Sequence, residues 1–153
     1  MVEVGQQAPD VTLRFADGTE RTLSSWAGRK LVLYFYPKDD TPGCTTEAQD
    51  FTAAMADFAA ADTDVVGVSR DSAAAHDKFT AKYGLKHPLA IDDGHVSEAF
   101  GTWVEKSMYG RKYMGLARAT FLLGRDGRIA AAWPKVSVKG HAAAVLKAAQ
   151  ALA

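Results

Sequence analysis

Leu31-Val32-Leu33-Tyr34-Phe35-Tyr36-Pro37-Lys38-Asp39-Asp40-Thr41-Pro42-Gly43-Cys44-Thr45-Thr46-Glu47-Ala48 is the stretch that decides how this chain folds. Its first six residues are a near-continuous apolar run, as expected of a strand buried on both faces, and Pro37 ends it because proline cannot donate to a ladder. After Cys44 the apolar set Ala48, Phe51, Met55 and Phe58 recurs at intervals of three and four. That spacing predicts a helix from Thr45 to about Ala61 with one face toward the core, and Cys44 falls on the same stripe. A strand, a short polar loop and an amphipathic helix in that order form the opening unit of an α/β fold.

The same alternation runs outward in both directions. Val11 to Phe15 and Glu20 to Leu23, separated by Ala16-Asp17-Gly18, read as a small N-terminal hairpin with Asp-Gly at its turn. Val65 to Ser69 and Ala117 to Leu123 read as further central strands. Gly124-Arg125-Asp126-Gly127 turns the chain into Arg128 to Trp133, a second antiparallel pair. Helical patterns cover Ser72 to Tyr83, Val96 to Phe100 and Gly140 to Leu152. The fold class is therefore α/β, with a central mixed β-sheet flanked by helices.

With 153 residues, 48% hydrophobic and 24% charged, the chain is expected to form one domain, residues 1–153, with a sizeable core. A formal net charge of +0 offers no global basic field for nucleic acid. Glu3, Asp10 and Arg14 near the N-terminus exclude a signal-peptide pattern, and no apolar run approaches the roughly 18 residues of a membrane span. A single cysteine cannot form an intrachain disulfide, which fits a reducing compartment and a cytoplasmic location. Charge is uneven along the chain. From Glu105 onward the only acidic residues are Glu105 and Asp126, against Lys106, Arg111, Lys112, Arg118, Arg125, Arg128, Lys135, Lys139 and Lys147. That basic third reads as a solvated face, or alternatively as a patch for an anionic substrate or an acidic partner.

Cys44 is the candidate nucleophile. A thiol reacts as its thiolate, and the first turn of a helix supplies free N–H groups and a positive dipole end that favour the anion. Buried cysteines are often inert, so position alone does not establish chemistry. The loop adds to it. Thr41 carries a hydroxyl three residues before the sulfur, where it can act on a bound oxygen or simply cap the helix. Pro37 and Pro42 fix dihedrals and remove competing donors, and Gly43 allows close approach to the backbone. Together these residues describe an anion pocket around one thiolate.

The pattern Pro37, Thr41, Cys44 resembles the active-site signature of the peroxiredoxins, cysteine peroxidases of thioredoxin-like fold. Thr41-Pro42-Gly43-Cys44-Thr45-Thr46-Glu47 resembles its bacterioferritin comigratory protein, or peroxiredoxin Q, group. The likeness extends to Gly5–Asp10, Gly67-Val68-Ser69-Arg70-Asp71, Phe79–Leu85 and Gly115–Phe121. It implies a thioredoxin-like fold and an antioxidant peroxidase with no cofactor and no metal. It implies Cys44 as the peroxidatic cysteine, Thr41 as the hydroxyl that orients the peroxide, Pro37 as a shield for the sulfenic acid and Arg118 as a guanidinium completing the pocket. Gly43, Thr41 and Arg118 then form the substrate site for hydroperoxides. Arg118 also stands out by itself, because a charged residue beside the apolar positions Ala119, Phe121 and Leu123 needs a partner.

Several groups are needed around such a sulfur. Taking a thiol from ~8.5 to ~6 requires roughly 3.4 kcal/mol of preferential stabilisation of the anion, and a helix terminus supplies ~0.3–2 kcal/mol. One departure from the family pattern is Gln49, which stands where many members of the group have a resolving cysteine. Resolution then falls to an external thiol: thioredoxin, glutaredoxin or glutathione. The group is often monomeric, which implies a monomer. A thiol–disulfide oxidoreductase would carry Cys-x-x-Cys, which is absent. A thioredoxin-like binding module is the remaining rival.

The other polar residues carry less signal. His76, His87, His95 and His141 read as surface or capping residues without metal spacing. Asp39-Asp40 reads as a solvated or capping pair. Trp26, Trp103 and Trp133 read as packing residues, with Trp103, Tyr109 and Tyr113 as a border to the pocket and Glu105 to Gly115 as a mobile loop over substrate.

Overall fold

In the computed structural model, which describes residues 1–153, the apolar run is a strand buried at every position. It is the third of nine strands: β1 (Thr12–Phe15), β2 (Glu20–Thr22), β3 (Lys30–Phe35), β4 (Thr63–Ser69), β5 (Leu89–Ile91), β6 (Trp103–Met108), β7 (Arg111–Leu116), β8 (Ala119–Leu123) and β9 (Ile129–Trp133). Five helices intervene: α1 (Pro42–Ala53), α2 (Met55–Ala60), α3 (Ala73–Tyr83), α4 (His95–Phe100) and α5 (His141–Ala151). Seven strands make one mixed sheet in the order β2-β1-β5-β4-β3-β8-β9. The pairs β3–β4 and β4–β5 are parallel, joined by α1–α2 and α3 as crossovers, and the remaining pairs are antiparallel.

Because side chains alternate across a strand, β3 feeds two cores. Leu31, Leu33 and Phe35 join Leu13, Val96, Phe100 and Phe121 on one face. Val32 and Tyr34, followed by Tyr36, join Ala48, Phe51, Phe58, Phe79 and Val145 on the other, and Cys44 belongs to that second cluster. Tyr34 and Phe51 stack with ring centroids 4.6 Å apart, which fixes α1 against the sheet. Lys30, at the buried start of β3, donates from Nζ to the carbonyls of Ala149 (2.7 Å) and Leu152 (2.8 Å). A cation among the last carbonyls of a helix satisfies groups that have no partner of their own, and here it ties α5 to the sheet.

The expected hairpin, central strands and helices are present, with four differences, the first being β5 (Leu89–Ile91), a strand that the sequence reading did not include. The helix expected from Thr45 to Ala61 begins at Pro42 and breaks at Ala54, whose φ of −96° and ψ of 1° leave the helical region. Tertiary ties outweigh the Ala-rich helical preference there. Thr52 of α1 accepts from the Lys86 amide at 3.2 Å, while α2 packs on β4. Glu105 to Gly115 is a two-stranded hairpin, β6–β7, rather than a loop. Tyr109 (φ 52°) and Gly110 (φ 78°) form its tip, and two successive positive φ values match the twist of a tight hairpin. Finally, β8 begins at Ala119, so Arg118 lies one residue before the strand.

Gly67 in β4 is required by space. A Cβ there would sit 2.7 Å from Tyr34 Cζ and 2.8 Å from its Oη, whose hydroxyl is bonded to His87 Nε2 at 2.7 Å. Gly67→Ala is expected to destabilise the fold by about 1–3 kcal/mol through overpacking, measured as a lower midpoint in urea with an unchanged slope.

Candidate active site

The chain leaves β3 at Phe35, crosses from Tyr36 to Thr41, and enters α1 at Pro42. Proline is well placed at a first helical position, since its missing N–H has no intrahelical partner there. Cys44 is thereby the third residue of the helix. The N–H groups of Gly43 and Cys44 have no carbonyl one turn earlier in the helix, so the positive end of α1 lies at the sulfur. Cys44 itself is 1% exposed.

Arg118 reaches this point from the residue before β8, the strand that pairs with β3. Its Nη2 donates to Cys44 Sγ at 3.2 Å and its Nη1 to Glu47 Oε1 at 2.7 Å. Cys44 and Glu47, three apart, share one helix face, so a single planar guanidinium spans both. Gly43 makes room for it, because a Cβ there would lie 3.2 Å from Arg118 Nη2. Thr41 stands at the N-cap position without capping, and its hydroxyl donates to the Lys38 carbonyl at 2.8 Å. Its oxygen therefore retains lone pairs as an acceptor. Pro37 is exposed, two residues past the end of β3.

Glu47 was not singled out from the sequence, yet it is nearly sealed off at 2% exposure. Burial raises its carboxyl, the Arg118 charge and hydrogen bond oppose that, and the result is about 7. Its Oε2 has no hydrogen-bond partner. For Arg118, burial lowers the pKa but the charges of Glu47 and Cys44 outweigh it, and the group is held above its ordinary value. Lys106, on β6, is lowered by burial and by repulsion from Arg118, partly offset by attraction to Cys44, which places the hairpin within electrostatic reach of the sulfur.

The loop before α1 is clamped to α3. Asp39, expected to be solvated, is buried, accepting from the Tyr36 hydroxyl at 2.5 Å and pairing with His76 Nδ1 at 2.6 Å. The Asp39 amide donates to Asp71 at 2.9 Å, and His76 Nε2 lies 3.0 Å from the Ala90 carbonyl. An acceptor faces each ring nitrogen of His76, which favours the charged form. Burial acts against the charge, but Asp39, the Ala90 carbonyl and Asp71 outweigh it and raise the pKa. Asp40, in the left-handed region at φ 57°, accepts from Lys82 at 2.8 Å and Tyr83 at 2.6 Å, both on α3. Asp39, Asp71 and His76 offer ligand atoms within 4.8 Å of one another, but these atoms are engaged with each other and with Ser69. The cluster is an anchor rather than a cation cage.

Three histidines expected at the surface are buried. His76 lies on the inner stripe of α3 with Phe79. His87 meets the Tyr34 hydroxyl and is pushed down to about 4 by burial. His141 bonds to Thr120 at 2.8 Å and is lowered to about 4 by burial and the Arg118 charge. His95 is exposed, as expected. Of the three aromatics expected to border the pocket, Trp103 lies under the Arg70 guanidinium at 3.4 Å, Tyr109 is 99% exposed at the hairpin tip and Tyr113 is 43% exposed on β7, so neither tyrosine is packed against the sulfur.

Residues 4–132 match the model of the AhpC/TSA family. The chain belongs to that family. Peroxiredoxin Bcp of Bacillus subtilis is 47% identical over 147 residues, covering 95% of this chain and 94% of that protein. A structure described with the alkyl peroxide reduction activity of the Xanthomonas campestris bacterioferritin comigratory protein superposes with a TM-score of 0.89 at 47% identity, covering 98% of this chain and 96% of that one. Structures of Xanthomonas campestris peroxiredoxin Q with one or the other of two cysteines changed to serine superpose with TM-scores of 0.90 at 47–48% identity, again covering 98% and 96%. This chain is thus a peroxiredoxin of the Bcp group, a thioredoxin-like peroxidase, with one cysteine, Cys44.

The shared guanidinium predicts opposite effects from its two partners. Arg118→Ala is expected to slow peroxide reduction by about 10²–10³-fold and to move the rise of the pH–rate profile to higher pH. Glu47→Gln, which keeps the hydrogen bond and removes the competing negative charge, is expected to move it to lower pH. For His76, the folded value lies above the unfolded 6.5, so its contribution to stability is complete below pH 6.5 and is lost as pH rises through the folded value. Urea midpoints measured upward from pH 6.5 should fall in the parent protein and stay flatter in His76→Asn.

Proposed function

We propose that Cys44 is the peroxidatic nucleophile and that Arg118, Thr41, Gly43 and Pro37 form its peroxide pocket. The observation that carries this reading is the 3.2 Å contact from Arg118 to a buried sulfur at the third residue of a helix. A hydroperoxide enters beside the partly exposed rim of Thr41, Gly43 and Arg118. Its proton-bearing oxygen donates to Thr41 Oγ1, whose own proton is committed to Lys38, and its oxygens accept from Arg118 and the first amides of α1.

The thiolate then attacks the terminal oxygen in line with the O–O bond. The S–O bond forms, the O–O bond breaks, and the leaving oxygen takes a proton to become water or an alcohol. Cys44 is left as sulfenic acid. Charge moves from sulfur to the leaving oxygen across donors already fixed in place, so little reorganisation is needed. Pro37, at the mouth of the loop, limits access to the oxidised sulfur.

With no second cysteine, the sulfenic acid is reduced by an external thiol, whether thioredoxin, glutaredoxin or glutathione. The substrates are hydrogen peroxide and organic hydroperoxides. The protein acts as a monomer in the cytoplasm, in antioxidant defence. No helix is long and apolar enough to cross a membrane.

Mixing reduced protein with hydrogen peroxide in a stopped-flow instrument tests the assignment. The expected result is a fast second-order fluorescence phase with one sulfenic acid trapped per chain, absent in Cys44→Ser. A rate no greater than that of a free thiol would instead favour a binding module on the same fold.

A further inference from the structure

The β6–β7 hairpin stands outside the main sheet and bears most of the large exposed apolar side chains of the molecule. Met108 is 56% exposed, Tyr109 99%, Tyr113 43% and Met114 50%. Lys106, Arg111 and Lys112 against Glu105 leave the hairpin with two net positive charges in a chain whose formal net charge is zero. Cross-strand register puts Val104, Lys106, Met108, Arg111, Tyr113 and Gly115 on one face. Lys106 lies along that face, its Cδ 3.3 Å from where a Cβ on Gly115 would sit, and it senses the charges of Cys44 and Arg118. At the root of the hairpin β7 ends at Leu116, two residues before Arg118, and the Ala117 amide donates to the Thr102 carbonyl at 2.8 Å. An apolar, cationic ribbon thus runs from the candidate active site into solvent.

We propose that this face is the docking surface for the protein that reduces oxidised Cys44, an acidic protein dithiol whose reactive cysteine lies in an apolar patch with a negatively charged rim. The proposal rests on the peroxidase reading above. Charge complementarity selects the occupant. A second copy of this chain would bring two cationic hairpins together, which repel, whereas an acidic partner is attracted and steered. Size argues for a protein. Strands of six residues extend about 20 Å, and Met108 and Tyr113 on this face with Tyr109 at the tip offer more surface than a small thiol covers.

The chemistry needs this proximity. A thiolate of the partner attacks the sulfenic sulfur, the S–O bond breaks, and the hydroxyl leaves with a proton as water, forming a mixed disulfide. The partner's second thiolate then attacks its own sulfur in that bond, so the partner leaves as a disulfide and Cys44 as a thiolate. Two electrons pass from the dithiol to the sulfur.

The test uses the charge variant Arg111→Glu and, separately, Tyr113→Ser, both on this face, with reduced thioredoxin as the protein dithiol and dithiothreitol as the small one. The expected result is an unchanged single-turnover oxidation of Cys44 by peroxide and unchanged turnover with dithiothreitol. With thioredoxin, kcat/KM falls about tenfold or more in the charge variant and several-fold in Tyr113→Ser, chiefly through KM. Added salt should lower kcat/KM of the parent and not of the charge variant. Equal kcat/KM with thioredoxin in parent and variants overturns the proposal, as does failure of thioredoxin to support turnover that dithiothreitol supports. Parallel losses with both dithiols, or a change in sedimentation showing that the hairpin joins two copies, also overturn it. Loss of the peroxide phase in the parent would instead refute the peroxidase reading itself.

Discussion

The Arg118 guanidinium, held between Cys44 Sγ and Glu47 Oε1, is the contact on which the rest of the site depends. It links the first turns of α1 to the residue before β8, more than 70 residues away in sequence, and Gly43 leaves it space. A cation in so dry a place needs anions beside it. The carboxylate of Glu47 and the thiolate of Cys44 compete for the same charge, so the balance between them sets how much of it is available to the sulfur. A carboxyl raised to about 7 is well suited to that competition, since it loses its own claim on Arg118 as it takes up a proton near neutral pH.

Beneath this contact lies a mechanical one. A nucleophile at the start of a helix is only as well placed as the loop leading to it, and the loop here is fastened by successive aspartates. Asp39 is locked by His76, Tyr36 and the Asp71 carboxylate, and Asp40 is held in a left-handed conformation by Lys82 and Tyr83. Strain of this kind persists where surrounding groups over-determine it. The aromatic stack of Tyr34 on Phe51 then sets α1 against β3, so loop and helix are anchored independently. At 1% exposure, the Cys44 sulfur meets a larger molecule only if this region opens.

Much of this was legible in the sequence. The stripe Ala48, Phe51, Phe58 marks a core-facing helical segment, and the run Leu31–Tyr36, short and closed by Pro37, marks a buried strand. Cys44, Thr41 and Pro37 announce themselves by spacing, and Arg118 by being a charge beside apolar neighbours. What escaped was side chains whose role depends on distant partners. Glu47, His76 and Asp39 look like ordinary surface residues until the fold closes over them, and nothing local distinguishes a buried ion pair from a solvated one. The break at Ala54 has no breaker residue to announce it. The β6–β7 hairpin was missed because its exposed strands carry no apolar alternation and its tip puts Tyr109, a residue type that seldom takes a positive φ, before Gly110.

If the pocket is built for the O–O bond and not merely for thiolate formation, the same sulfur should discriminate sharply between electrophiles. The decisive measurement compares second-order rate constants of Cys44 with hydrogen peroxide and with iodoacetamide, each expressed relative to a free thiolate. A peroxide rate orders of magnitude above the free thiolate, with an alkylation rate no greater than it, is the expected result. Equal enhancement of both, or of neither, would contradict the account.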